Sequence, residues 1–260
     1  MFLTTLLAVA IAQPGAAPLR TVSPNRWTVD YGRVSCTLAR RVGGDGSPIL
    51  ALNAPLGLEP GELVVMETDG RLDQQLRGAL EVRLDGGAPL AVRARREQRN
   101  GRPVVKLAPM PEDFLNRLAA AGELRVRRGE EEVLALALPG ARAAIDELTR
   151  CNDDLMQSWG IDVAARRALR RRPRLRNSGW ALEISPSADT YLVFIAQVSE
   201  QGRPLGCRIA VSSGNERMDR AVCNAMQSNA RFEPALDAQD HQVPAQYVTR
   251  VRWLVGSRAD

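Results

Sequence analysis

The chain reads Leu192-Val-Phe-Ile-Ala-Gln-Val-Ser-Glu-Gln-Gly-Arg-Pro-Leu-Gly-Cys-Arg-Ile-Ala-Val211 over residues 192–211, and this stretch determines the fold of the C-terminal part. Apolar residues take every second position on both sides of a turn at Glu200–Pro204; they are Leu192, Phe194, Ala196 and Val198, then Leu205, Cys207, Ile209 and Val211. Alternation with a period of two is typical of strands that bury one face. The stretch therefore predicts a two-stranded hairpin with one apolar face.

The residues that follow predict a helix and a last strand. Ser212-Ser-Gly-Asn215 offers side chains that cap a helix. The next apolar residues have the spacing of one helical face; they are Met218, Ala221, Val222, Ala225 and Met226. Gln246–Val255 then predicts a strand that presents Tyr247, Val251, Trp253 and Val255 on one face. The order β-β-α-β indicates a small C-terminal domain.

The front half of the chain predicts a mostly antiparallel β domain. Gly-Gly, Asn-Gly and Asp-Gly steps separate short β-prone segments, as hairpins require. These segments are Arg26–Tyr31, Ser35–Arg40, Ile49–Asn53, Leu63–Thr68, Leu80–Leu84, Leu90–Ala94, Val104–Leu107, Leu124–Arg127 and Val133–Leu138. Helices are predicted at Pro111–Ala121 and Ala141–Cys151. The fold class of the whole chain is therefore predicted to be α+β.

The N-terminus has the composition of a secretory signal peptide. Residues 2–12 are apolar except for two threonines, and small residues follow up to Ala17. A membrane span needs about 20 apolar residues, so we expect cleavage and export to the periplasm, with inner-membrane association if the segment is retained. The predicted domain order is a signal peptide at 1–17, a β-rich domain at 18–160, an Arg-rich linker at 161–180 and the C-terminal domain at 181–260.

The four cysteines are Cys36, Cys151, Cys207 and Cys223. An exported chain meets an oxidising compartment, so disulfides are expected. Of the three possible pairings we favour Cys36–Cys151 and Cys207–Cys223, because each bridge then stays inside one predicted domain. The chain has no Cys-x-x-Cys pair and one histidine, His241, so neither a metal site nor a cofactor is expected.

A cluster of arginines lies between the two predicted domains. Seven arginines and no acidic residue fall within residues 164–176; they are Arg166, Arg167, Arg170, Arg171, Arg172, Arg174 and Arg176. Like charges repel one another, which favours a solvated connector between domains. The alternative is a basic surface, formed by Arg166, Arg167, Arg170, Arg171 and Arg172, that contacts an anionic part of the envelope. Export argues against nucleic acid as the partner.

The C-terminal pattern resembles the C-terminal domain of TonB energy transducers. The resemblance rests on the strand Leu192–Gly202, on Cys207–Gly214, on Met218-Asp-Arg-Ala221 at the helix, and on Arg231-Phe-Glu-Pro-Ala235 after it. Trp180 and the pair Cys207 and Cys223 resemble an alphaproteobacterial, chiefly sphingomonad, branch of these proteins. Trp27–Tyr31, Cys36–Arg40, Cys151–Leu155 and Trp159–Asp162 are similar to the same branch, whereas Leu138–Leu148 resembles invasion-associated locus B proteins, which are periplasmic β domains.

The resemblance implies that the last strand pairs with an extended peptide of an outer-membrane receptor by β-augmentation. The residues to which this role carries over are Gln246, Tyr247, Val248, Thr249, Arg250, Val251, Arg252 and Trp253. The sequence shows no membrane anchor, Pro-rich spacer or Tyr-Pro motif of the transducer type. A soluble structural, stress or scaffolding role in the envelope, without energy transduction, is therefore the alternative.

The sequence does not predict an enzyme. His241 lies in a polar loop, and the adjacent carboxylates Asp153 and Asp154 have no differently tuned partner for acid and base roles. Ser212-Ser-Gly214 lacks the Gly-x-Ser-x-Gly pattern of a hydrolase and is explained by helix capping. Gly43-Gly-Asp-Gly46 lacks the Lys-Ser/Thr of a phosphate-binding loop and indicates a turn.

Overall fold

The computed structural model describes residues 26–43, 47–53, 61–66, 70–99, 102–177 and 190–253. The predicted signal segment at 1–17 lies outside these residues, as do Trp180 and the last two residues of the predicted final strand.

A nine-stranded antiparallel sheet forms the N-terminal part, and the predicted α+β class is confirmed. Its strands are β1 (Trp27–Tyr31), β2 (Cys36–Arg41), β3 (Ile49–Asn53), β4 (Gly61–Met66), β5 (Ala79–Leu84), β6 (Leu90–Arg99), β7 (Arg102–Met110), β8 (Glu123–Arg128) and β9 (Glu131–Ala137). Their order across the sheet is β1-β2-β3-β4-β7-β6-β5-β8-β9. Each of the nine predicted β-segments overlaps one of these strands.

Three helices accompany this sheet. They are α1 (Gly70–Gln75), α2 (Phe114–Ala120) and α3 (Ala141–Ser158). Helix α3 packs on β1, β2 and α2, and its buried face joins the core that the sheet supplies. The sequence predicted its end at Cys151, but α3 continues to Ser158 because Met156 is a further buried apolar contact. Helix α1 was not predicted.

A buried arginine links the two edges of the nine-stranded sheet. Arg40 of β2 donates from Nη1 to the carbonyl oxygen of Ala137 at the end of β9, at 2.8 Å. Its guanidinium lies 5.4 Å from the ring centroid of Trp27, and the Trp27 indole N–H donates to the carbonyl oxygen of Pro139 at 2.9 Å. Burial lowers the pKa of Arg40. These contacts curl the sheet into a half-barrel around α3.

The C-terminal part is built on a three-stranded antiparallel sheet with the order β12-β11-β16. Its elements, with the short ones that precede and connect them, are α4 (Val163–Ala168), β10 (Arg174–Leu175), β11 (Thr190–Val198), β12 (Pro204–Val211), α5 (Glu216–Asn229), β13 (Phe232–Glu233), β14 (Ala235–Leu236), β15 (Gln242–Val243) and β16 (Ala245–Trp253). The predicted β-β-α-β order is confirmed. None of the helices in the described ranges is both long and apolar enough for a membrane span.

Both faces of this small sheet are buried. On one face Leu192, Phe194 and Tyr247 pack with Val222 and Met226 of α5, as the alternation predicted. On the other face three further sheet residues are buried with the end of α3, the turn after it and the start of α4; this second cluster contains Val193, Ile195, Val248, Met156, Trp159, Ile161 and Val163. The predicted buried face is confirmed, and the sheet has a second buried face because β11 is apolar at consecutive positions and sits between two layers.

The loop before α5 holds the helix by side-chain hydrogen bonds. Asn215 is the N-cap, and its side chain accepts from the backbone N–H groups of Arg217 and Met218. The Asp219 carboxylate accepts from the Ser212 hydroxyl at 2.6 Å and from the Ser213 N–H at 3.0 Å and hydroxyl at 2.6 Å. Burial acts to raise the pKa of Asp219, but these hydrogen bonds outweigh it and hold the pKa below its ordinary value.

We expect Asp219→Asn to lower the free energy of unfolding by about 1–2 kcal/mol at pH 7, because hydrogen bonds to a charged acceptor are lost. A depressed carboxyl pKa contributes stability above the unfolded-state pKa of about 3.9, and this contribution disappears as the pH falls through the folded-state pKa. The difference between parent and variant should therefore shrink below about pH 4. Urea unfolding at a series of pH values measures it, with Glu216→Gln on the same helix as the control. An unchanged difference at pH 2 contradicts the assignment.

Candidate functional site

Strand β16 lies at one edge of the three-stranded sheet. It pairs along its full length with β11, from Thr190 opposite Trp253 to Val198 opposite Ala245. Within the described residues, no strand pairs with its other side. An edge strand presents backbone N–H and C=O groups that another extended chain can pair with. The predicted partner-binding residues Gln246–Trp253 all belong to this strand.

The middle of this edge is nevertheless covered. Tyr247, Val248 and Thr249 are 3%, 0% and 3% exposed, counting backbone and side chain together. In an antiparallel pair, successive residues direct their N–H and C=O groups alternately toward and away from the neighbouring strand. Whichever of these three residues points outward, its backbone groups are therefore shielded from solvent.

The covering segment comes from the same chain. We call residues 161–175 the strap. Val163 at the start of α4 is buried in the same cluster as Val248. The backbone N–H of Asp162 faces the side-chain oxygen of Gln246 at 3.4 Å. These contacts place the beginning of the strap beside the first half of β16.

The strap passes from one face of the sheet to the other. Ile161 and Val163 belong to the cluster opposite α5, whereas Leu175 packs in the cluster on the α5 side. At that end β10 pairs with β13, and the backbones of Arg171 and Leu236 exchange hydrogen bonds of 3.2 and 2.8 Å. Since Asp162 and Val163 lie beside β16, the strap crosses the sheet at the β16 edge.

Arg166 occupies this crossing. Removal from water lowers its pKa to about 10, and the positive charge of Arg172 acts in the same direction. Tyr247 and Asp153 oppose the shift, so the guanidinium lies within electrostatic reach of the tyrosine of the edge strand. The arginine predicted as part of a basic surface is thus half-buried.

Several of the other arginines of the strap form ion pairs with acidic residues on both sides. Arg167 pairs with Asp153 of α3, and Arg174 Nη2 lies 2.7 Å from a carboxylate oxygen of Glu112. Toward the C-terminal part, Arg170 pairs with Asp240 and Arg171 lies 4.0 Å from Glu233. The segment predicted as a solvated linker thus contains α4 and β10 and is held on both sides, because its charges find partners distant in sequence. The domain boundaries stay a prediction.

The far end of β16 is more accessible. Arg250, Val251 and Trp253 are half-buried and Arg252 is exposed. The Arg252 guanidinium lies 3.9 Å from the Glu97 carboxylate of β6. Both groups are substantially exposed, so this contact contributes little to stability. Arg250–Trp253 is therefore less buried than the middle of the edge, and we call it the open half of β16.

Two disulfides brace the elements around this edge. The structure forms Cys36–Cys151 and Cys207–Cys223, the pairings favoured from the sequence. The first joins β2 to α3, whose C-terminal end covers one face of the small sheet. The second joins β12 to α5, which covers the other face. The second bridge thus fixes α5 to the small sheet that it covers, whereas the first fixes α3 to the large sheet.

The polar loop before β15 is held by its own aspartate. The Asp237 carboxylate accepts from the backbone N–H groups of Gln239 and His241, both at 2.9 Å. The His241 ring nitrogen Nδ1 lies 3.3 Å from the same carboxylate and the ring is exposed. This geometry is that of a solvated turn, as the sequence predicted. Across the described residues, no group of three or more His, Cys, Asp or Glu side chains is placed to hold a metal ion.

The β-β-α-β part of the chain is similar to a known protein family. Residues 189–254 match the family model described as "Gram-negative bacterial TonB protein C-terminal". The C-terminal domain is TonB-like. The match spans the three-stranded sheet and α5, and it includes the edge strand β16 of this TonB-like domain. The resemblance proposed from the sequence is confirmed.

A second similarity covers half of the chain. Among solved structures, invasion associated protein B from Bartonella henselae is similar, with 17% sequence identity and a TM-score of 0.37. The similarity covers 50% of this chain and 96% of the Bartonella chain. No curated protein matches this chain.

Proposed function

We propose that this chain is an exported envelope protein that binds an extended segment of a partner protein along the open half of β16. The observation that carries the proposal is the position of β16 at the edge of the TonB-like sheet, with Arg250–Trp253 accessible. A strand added there would gain backbone hydrogen bonds in register, and its side chains would alternate between the two sides of the sheet. Binding through this edge needs no catalytic group.

Two further observations support an envelope location. All four cysteines are joined in two disulfides, which suits an oxidising compartment such as the periplasm. The family that residues 189–254 match belongs to Gram-negative bacteria. Energy transduction to outer-membrane transporters is the role that the TonB resemblance implies, and pairing at β16 would be its physical basis.

The alternative in which the arginine run holds an anionic surface receives less support. Arg167, Arg170, Arg171 and Arg174 already face carboxylates of the same chain. Contact with lipid headgroups would compete with these pairs. We therefore expect charge reversal at Arg170–Arg172 to change partner binding little.

We expect proline at Arg250 or at Val251 to abolish capture of the partner. Consecutive N–H groups of β16 point in opposite directions, so one proline removes a donor to β11 and the other removes an outward donor. Only the proline that removes a donor to β11 should lower the free energy of unfolding. Capture is measured with a photo-crosslinking amino acid at Arg252, using envelope extract of the source bacterium and mass spectrometry of the products.

The matched control places the same crosslinker at Leu205. This residue is 65% exposed and lies on β12, at the opposite edge of the sheet. Capture of the same products at Leu205 and Arg252 would contradict edge-specific binding. Capture that survives both prolines would contradict strand pairing.

A further inference from the structure

We infer that the strap is a built-in guard of the β16 edge. It lies against Gln246 and in the cluster of Val248, so the middle of the edge stays closed to an incoming chain until α4 opens. The guard is a property of this chain by itself. Its consequence for partner access rests on the proposed function.

The first evidence for the guard is the burial of the edge strand. An edge strand without a cover leaves its outward N–H and C=O groups in water, and its residues cannot all be shielded. Here three successive residues are at most 3% exposed. β12, the opposite edge of the same sheet, contains no buried residue and presents Leu205 to solvent. The two edges of the sheet thus differ in exposure, and the covered edge is the one beside the strap.

The second evidence is that the two ends of the strap are held differently. Its C-terminal end is fixed by backbone pairing of Arg171 with Leu236 and of β10 with β13. Its N-terminal end depends on the buried side chain of Val163 and on the Asp162 cap, which accepts from the Ala165 N–H at 2.8 Å. The helix between them has six residues. A helix this short is marginal without its packing, so residues 162–170 can open while β10 stays paired.

Ion pairs hold the part that must move. Arg167 pairs with Asp153 on α3, and Arg170 pairs with Asp240 in the loop before β15. All but Asp153 are substantially exposed, so the pairs are weak and sensitive to salt. Opening therefore breaks the packing of Val163, the Asp162–Gln246 hydrogen bond, the contacts of Arg166 and two weak pairs, and it leaves the disulfides in place.

Hydrogen–deuterium exchange of the full chain tests the guard directly. In the parent we expect the outward amides among Tyr247–Thr249 to be protected, although no strand within the described ranges pairs with this side of β16. Val163→Asp places a charge in the apolar cluster that contains Val248 and should raise exchange at these amides by about tenfold or more. Ala164→Asp puts the same charge at an exposed position of the same helix and should leave exchange as in the parent. Amides of α5 should be unchanged in both variants.

Val163→Ala keeps the experiment informative if Val163→Asp fails to fold. It should raise exchange at the same amides by a smaller factor. Fast exchange of all outward amides of Tyr247–Thr249 in the parent would overturn the inference. An unchanged rate in the folded Val163 variants would overturn it as well.

A crosslinking experiment distinguishes a failure of this inference from a failure of the proposed function. A crosslinker at Gln246 should capture little in the parent and more in Val163→Asp, whereas a crosslinker at Arg252 should capture in both. If neither position captures a partner while exchange responds as expected, the proposed function is wrong and the guard stands. If Gln246 captures equally in parent and variant, the guard is wrong and the proposed function stands.

Discussion

Replacement of both Cys36 and Cys151 with alanine is expected to lower the free energy of unfolding by about 4–5 kcal/mol. The bridge closes a loop with a sequence separation of 115, so its removal returns much conformational entropy to the unfolded chain. Both residues are 1% exposed, and the bridge ties β2 to α3 within the large core. Because α3 also carries the cover of the small sheet, its loosening should weaken the TonB-like domain too.

The second bridge provides the matched comparison. Cys207–Cys223 has a sequence separation of 16, and the same entropy argument assigns it about 3 kcal/mol. Urea unfolding of the two double alanine variants, followed by tryptophan fluorescence and circular dichroism, measures the difference. A smaller loss for the Cys36–Cys151 variant than for the Cys207–Cys223 variant would show that loop length does not determine the stabilisation.

Trp159→Ala is expected to lower the free energy of unfolding by about 3–5 kcal/mol, the usual range for a buried aromatic residue. The indole is 8% exposed and packs in the cluster that covers the second face of the small sheet. The carbonyl oxygen of Trp159 also accepts from the Arg208 guanidinium, and that backbone contact survives the substitution. The loss therefore reports on the side chain.

Ser158→Ala is the control for Trp159→Ala, because Ser158 is its exposed neighbour at the end of α3. Equilibrium unfolding in urea gives the change in free energy, and exchange of β11 amides shows where stability is lost. A loss below about 1 kcal/mol would mean that the cluster around Trp159 is not needed to hold the sheet.

The strands and the main helices could be predicted because their signals are local. Alternation at Leu192, Phe194 and Ala196 reports one face of β11, and the spacing of Met218, Val222 and Met226 reports the matching face of α5. Turn residues separate the strands of the large sheet at nearly the observed positions. The bounds of α3 were harder, since its last two turns are held by tertiary packing.

The cover over the middle of the β16 edge could not be predicted, because its residues are not linked by one local pattern. Met156, Trp159, Ile161 and Val163 span the end of a helix, a turn and the start of another helix, so no single period links them. Val193 and Ile195 were the available signal, because apolar residues at consecutive positions of a strand indicate burial on both faces.

The ion pairs of the arginine run could not be predicted for a related reason. Repulsion within Arg166–Arg176 is visible in the sequence, whereas the compensating carboxylates come from other parts of the chain. Two of them, Glu112 and Asp240, lie on opposite sides of the run in sequence. Only the fold shows that they flank the strap.

The second apolar layer on the small sheet also determines which pieces of this chain can exist alone. A fragment that begins after residue 180 keeps α5 but loses Met156, Trp159, Ile161 and Val163. Val193, Ile195 and Val248 would then face water on a sheet whose β16 edge is also uncovered. Such a fragment would expose an apolar surface and an unpaired strand edge together. Its self-association would then result from the truncation and not from a property of the full chain. A fragment suited to binding studies has to retain the end of α3 and the strap.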